Sequence, residues 1–112
     1  MDYIILGKNI RKHRLMLGLK QAELAEKCDC SESHIGQIEN GRGKPSLEMC
    51  VRIANALGVT IDQLLREYYD NPEKIYLREI AERIEKYPVQ LRIQACESFN
   101  NFLDSIEKFR DV

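Results

Sequence analysis

At 112 residues the chain has room for one compact domain, or for a small domain with an appendage. Its 44% hydrophobic and 31% charged content is ordinary for a globular protein and excludes a disordered chain, and no apolar run approaches the ~20 residues a membrane span needs. The net charge of −1 excludes a uniformly basic nucleic-acid binder, so any such role must rest on local features.

The charge is unevenly spread. Residues 1–66 carry ten Lys/Arg and eight Asp/Glu, a net of +2, and residues 67–112 carry seven and ten, a net of −3. That asymmetry suits a DNA-binding head followed by a tail that does not bind DNA. The start of the chain, Met1 to Leu6, lacks the basic opening and long apolar core of a signal peptide, so a cytoplasmic location is expected.

Turn signals divide the chain into seven helix candidates, with no convincing period-2 strand. The first is expected over about Lys8–Leu17, with Ile10, Arg14 and Leu17 on one face and Gly18 as its C-terminal stop. The second runs over Gln21–Cys28, with Leu24, Ala25 and Cys28 inward and Glu23 at the acidic capping-box position. Ser31 caps the third, which carries Ile35 and Ile38 and stops at Asn40-Gly41. Arg42-Gly43-Lys44-Pro45 reads as a loop. Ser46 caps the fourth, whose expected apolar stripe is Leu47, Cys50, Val51, Ala54 and Leu57 before Gly58. Thr60 and Gln63 form a capping box for a short fifth helix with Leu64 and Leu65.

A composition shift follows. Asn71-Pro72 reads as the N-cap and first position of a sixth helix, with Tyr76, Ile80, Ile84 and Tyr87 as its stripe. Pro88 breaks it and opens a seventh helix to about Lys108, where Cys96, Phe99, Leu103 and Ile106 recur at alternating steps of three and four. Cys28, Cys30, Cys50 and Cys96 are expected to be reduced, small, buried apolar side chains. Cys28-Asp29-Cys30 lacks zinc-site spacing, so neither a metal nor another cofactor is expected.

Two short helices joined by a tight turn, the second apolar inside and polar outside, form a helix-turn-helix pattern. In that geometry the first helix touches the phosphate backbone and the second lies in the major groove. The sequence here resembles the phage repressor and Cro-type (XRE-like) helix-turn-helix regulators. Five stretches carry the resemblance in order: residues 10–14, Gly18 to Ala25, Ile35 to Gly41, Pro45-Ser46-Leu47 and Ile53 to Val59. It covers about Gly7 to Leu65.

The resemblance implies an all-α fold: a five-helix lambda-repressor-like DNA-binding domain over residues 1–69, and two C-terminal helices over 70–112. It implies a double-stranded DNA partner. Gln21 resembles the family glutamine that meets the backbone and braces the recognition helix. Glu32, Ser33 and Gln37 stand where side chains reach base edges; a glutamine there can pair with adenine and a glutamate can accept from cytosine. His34 and Asn40 match backbone-proximal positions, and Arg42 and Lys44 match phosphate-contacting ones. Arg14 and Glu39 match a partly buried ion pair tying the first helix to the third. The sequence departs from the pattern at Lys20, where a Ser/Thr cap is usual, at Asp29, where a turn glycine is usual, and at Gly36 inside the recognition helix. Gly36 is expected to leave a patch with no side chain to read bases.

Blander readings stand beside these. Glu32, Ser33 and Gln37 also suit a solvated helix face, and Arg42 and Lys44 a generic polar loop. The last two helices can complete a monomer core. Alternatively the face of Phe99, Phe102, Leu103, Ile106 and Phe109 pairs with a partner chain, and homodimerisation is the favoured reading. No constellation at catalytic spacing surrounds His13 or His34, so an enzyme is not expected. The expected function is a transcriptional regulator, a repressor that reads a palindromic operator as a homodimer. The rival is a protein-interaction module, such as an antitoxin-like protein, whose C-terminal helices hold a protein partner and whose DNA binding is secondary.

Overall fold

The computed structural model describes residues 1–110 and is all-helical, with no strand among the described residues. Its helices are α1 (Ile4–Met16), α2 (Gln21–Lys27), α3 (Glu32–Glu39), α4 (Leu47–Leu57), α5 (Ile61–Leu65), α6 (Pro72–Ile84) and α7 (Val89–Arg110), with a 3-10 turn at Arg66–Tyr68 after α5. The five-plus-two helical fold class therefore holds. The chain falls into two compact units, Met1–Asp70 and the segment from Asn71 onward.

The first unit is built around one core. Leu6, Ile10, Leu24, Ala25, Cys28, Ile35, Ile38, Ile53, Ala54, Leu57 and Leu64 are buried in it, drawn from all five helices. Tyr3, Cys30, Met49 and Tyr68 pack against its edge. Three serine or threonine caps are in place. Ser31 Oγ accepts from His34 N at 3.1 Å, Ser46 Oγ from Met49 N at 3.1 Å, and Thr60 Oγ1 from Gln63 N at 3.1 Å. The Thr60 box is reciprocal, since Gln63 Oε1 accepts from Thr60 N at 2.9 Å. At α2 only half a box forms: Glu23 Oε1 accepts from Lys20 N at 3.1 Å, and the lysine has no acceptor to give back.

Several boundaries and faces differ from expectation. Helix α1 begins four residues earlier, at Ile4 rather than Lys8. Asp2 Oδ1 accepts from Ile4 N at 3.1 Å and the Tyr68 hydroxyl accepts from Leu6 N at 2.8 Å, satisfying first-turn donors that a helix start leaves orphaned. Leu17 caps α1 and is exposed instead of joining the Ile10–Arg14 face. On α4 the inward residues are Ile53, Ala54 and Leu57, with Met49 and Cys50 half-buried. Leu47 and Val51 point outward, 75% and 43% exposed. Cys28 is buried, Cys30 and Cys50 are half-buried, and Cys96 is exposed, so the buried-thiol expectation fails at Cys96.

The second unit is a pair of helices. Pro72 occupies the first turn of α6, although the Asn71 side chain makes no cap bond. Helix α6 ends at Ile84 and Tyr87 lies in the turn beyond it, because the residue before Pro88 is pushed out of the helical region. Ile80, Ile84, Arg83, Tyr87, Ala95 and Phe99 line an open groove of about 350 Å³ between the helices. Leu77, Phe102 and Leu103 continue it into a second of about 180 Å³. No residue of α6 or α7 is buried.

Candidate nucleic-acid interface

Two turns set the angle of α3. After α2 the chain reverses through Asp29, at φ 54° the single positive-φ residue other than glycine among the described residues. A short carboxamide or carboxylate side chain tolerates that conformation better than most. The neighbouring Cys28 and Cys30 turn inward, and burial pushes both thiols above their ordinary pKa. After α3 the chain reverses through Gly41, at φ 77°, and a side chain there would strike Ile4 Cα at 2.9 Å. The Gln37 carbonyl then accepts from both Arg42 N (3.0 Å) and Gly43 N (3.1 Å), closing the end of α3.

Helix α3 is also held from behind. Arg14 donates from Nε to Glu39 Oε2 at 2.7 Å and from Nη2 to Glu39 Oε1 at 2.9 Å. Its remaining nitrogen, Nη1, donates to the Leu19 carbonyl at 2.8 Å. Gln21 Nε2 adds a third bond onto Glu39 Oε1 at 3.2 Å. Both side chains of the ion pair are almost wholly buried, at 8% and 2% exposure. A buried pair is tolerable only when its donors and acceptors are satisfied, and here they are. The bond to Glu39, opposed by burial, raises the Arg14 pKa further above its ordinary value, so this guanidinium stays charged.

Gly7 completes the bracing. A Cβ there would strike the Ile38 carbonyl and come within 2.6 Å of the Glu39 carbonyl, so α1 meets the end of α3 backbone to backbone. An expected helix start at Lys8 leaves Gly7 outside α1, so this role is not legible from the pattern, although Gly7 opens the matching stretch.

Braced this way, α3 buries Ile35, Ile38 and Glu39 and turns its other side to solvent. Glu32, Ser33, Gln37 and Asn40 are exposed, and His34 is half-buried. None of these five side chains is hydrogen-bonded within the described residues, so their donors and acceptors are available. Glu32 sits in the first turn, where its charge suits the helix dipole. Arg42 and Lys44 are exposed beyond the end of α3, with no ion-pair partner among the described residues. Gln21 is half-buried and leaned over Gly36: a Cβ on Gly36 would sit 3.7 Å from Gln21 Oε1. The bare spot left by Gly36 therefore borders Gln21. No group of three or more His, Cys, Asp or Glu converges in metal-binding fashion among the described residues.

In the second unit Phe99 and Leu103 line the grooves and are about half exposed. Phe102 also borders the groove and is 63% exposed, Ile106 is half exposed and Phe109 is 82% exposed. No described helix is long and apolar enough to cross a membrane.

A helix-turn-helix family model (HTH_3) matches residues 10–64. An uncharacterized HTH-type transcriptional regulator from Methanothermobacter thermautotrophicus is 51% identical over 49 residues, 44% of this chain and 71% of that protein. The immunity repressor protein of Bacillus phage phi105 is 31% identical over 90 residues, 72% of this chain but only 60% of the repressor's own length. A solved SinR protein/SinI protein complex matches 96% of this chain and 99% of its own with a TM-score of 0.52 at 22% identity, a likeness of fold.

Proposed function

The chain belongs to the helix-turn-helix family of transcriptional regulators, and from that membership we propose that it is a repressor reading a palindromic operator as a homodimer. The observation that carries the DNA reading is α3 itself: a helix braced behind by Arg14, Gln21 and Gly7, and open in front at Glu32, Ser33 and Gln37. In this reading Gln37 and Ser33 contact base edges and Glu32 accepts from a cytosine amino group. His34, Asn40, Arg42 and Lys44 lie along the phosphates, and Gln21 reaches the backbone with the N–H that Glu39 leaves free. The likeness to a phage immunity repressor supports the repressor assignment.

The dimer reading rests on the second unit. A helix pair with no buried residue and an apolar face of Phe99, Phe102, Leu103, Ile106 and Phe109 needs a cover, and a second copy supplies one by symmetry. Residues 1–69 thus form the reading head and residues 70–112 the dimerisation region. One short helix reads few bases, so pairing two heads on half-sites ~34 Å apart supplies the missing specificity.

Selection of bound sequences from random duplex DNA tests both parts. An inverted repeat is expected; an asymmetric site or no enrichment would sink the reading. A second reading has one observation in its favour, the fold shared with a SinR protein bound to a SinI protein: the C-terminal helices hold a heterologous protein, as in an antitoxin-like module. A stoichiometric foreign protein retained through residues 72–110 distinguishes it.

A further inference from the structure

Two of the side-chain hydrogen-bond networks that join distant residues in the first unit have different tasks. Arg14–Glu39–Gln21 serves the recognition helix. The other gathers where the chain leaves the unit and makes no bond to α3. The Tyr68 hydroxyl accepts from Leu6 N at 2.8 Å. Asn9 Nδ2 donates to the Leu64 carbonyl at 2.8 Å and to Glu67 Oε2 at 2.9 Å. The Tyr69 hydroxyl donates to Asp62 Oδ1 at 2.6 Å.

An exit segment ordinarily frays. This one is held over its last turn, and two of its bonds satisfy helix-end backbone groups, the Leu6 N–H and the Leu64 carbonyl. With the clamp closed, Tyr69 is held as well and only Asp70 and Asn71 separate it from Pro72; with it open, the residues from Arg66 to Asn71 are released. A longer free linker admits a wider range of head separations, since its span grows roughly as the square root of the residues released.

We propose that this clamp is a spacing device: Tyr68 and Asn9 are positioning residues that fix where the chain leaves the reading head, and so make the dimer discriminate operators by half-site separation. The inference rests on the dimeric-operator reading above. Neither residue touches DNA in it.

The test uses the full-length chain, as wild type, Tyr68→Phe and Asn9→Ala. The probes are duplexes carrying two selected half-sites whose separation is stepped one base pair at a time, and a duplex with a single half-site. Wild type is expected to favour one separation about tenfold over its neighbours, and each variant to flatten that preference to about threefold or less. Affinity for the single half-site is expected to stay within about twofold. A uniform loss on every probe shows a merely structural role and overturns the proposal, as does an unchanged separation profile. Light scattering on the same samples separates the two failures. A monomeric wild type sinks the dimeric-operator reading together with the clamp, and a dimer whose variants keep the wild-type profile sinks the clamp alone.

Discussion

Arg14 on α1 grips both carboxylate oxygens of Glu39 on α3, at 2.7 and 2.9 Å, with almost no solvent access to either side chain. Helix α3 is therefore fixed by a bidentate, charge-assisted pair lying behind its exposed face. Removing one partner leaves an uncompensated buried charge. Glu39→Ala is expected to destabilise the protein by about 3–5 kcal/mol, read as a fall in the denaturant midpoint. Replacing both residues by methionine is expected to recover most of that loss; equal melting of the single and double variants would refute this account.

The two helical glycines are expected to behave oppositely. Gly36→Ala places its Cβ in ordinary contact with Gln21, 3.7 Å away, and is expected to stabilise α3 by up to about 1 kcal/mol. Gly7→Ala drives its Cβ into the carbonyls of Ile38 and Glu39 and is expected to cost about 1–3 kcal/mol. Thermal melts of the two variants check the signs.

On DNA, Gln37→Ala is expected to lose ~1–3 kcal/mol and relax preference at one base step, while Lys44→Ala weakens all sequences alike and lowers the salt slope by about one. Gel-shift titrations across salt and base substitutions distinguish the two. An unaltered base preference for Gln37→Ala would remove it from the recognition surface.

In the second unit, Leu103→Glu places a charge on the apolar face beside the groove. The variant is expected to be monomeric by light scattering and to lose at least about tenfold affinity for the two-half-site duplex, with single-half-site binding kept. A dimeric Leu103→Glu protein would place the interface elsewhere.

The thiols carry a pH prediction. Burial raises the pKa of Cys28, Cys30 and Cys50 above the ordinary 9.0, favouring the neutral thiol in the folded state. A raised value contributes stability that is fully present below the unfolded pKa and is lost as pH climbs through the folded one. Stability is thus expected to fall on the alkaline side of 9.0, and less so in a Cys28→Ala variant. Chemical denaturation at stepped pH measures it.

Much of the head was legible in the sequence, because its signals are local. The caps at Ser31, Ser46 and Thr60, the stops at Gly41 and Gly58 and the left-handed Asp29 each depend on neighbours within a few residues. Where the structure differs from the local signals, distant partners or helix ends decide. The first turn of α1 is completed by Tyr68, sixty-two residues away, which no periodicity reveals. The sequence Leu47-Glu48-Met49-Cys50-Val51 is apolar on two sides, so its pattern does not say whether Leu47 or Met49 turns inward. Leu17 fits a helical stripe but falls on the residue that ends the helix. The positions of Glu32, Ser33 and Gln37 followed from the motif; the part played by Gly7 in supporting them did not, because it concerns the end of another helix.

In the dimeric reading, the absence of any buried residue in α6 and α7 makes the response depend on concentration. The apolar face of this helix pair is covered only when two chains meet, and the population of that dimer grows with the square of the free chain concentration. Occupancy of a two-headed operator then rises more steeply than the amount of protein made. Where the chain is mostly monomeric and the operator far from saturated, halving the pool lowers occupancy by more than half, so a regulator of this kind responds to its own dilution as to a signal.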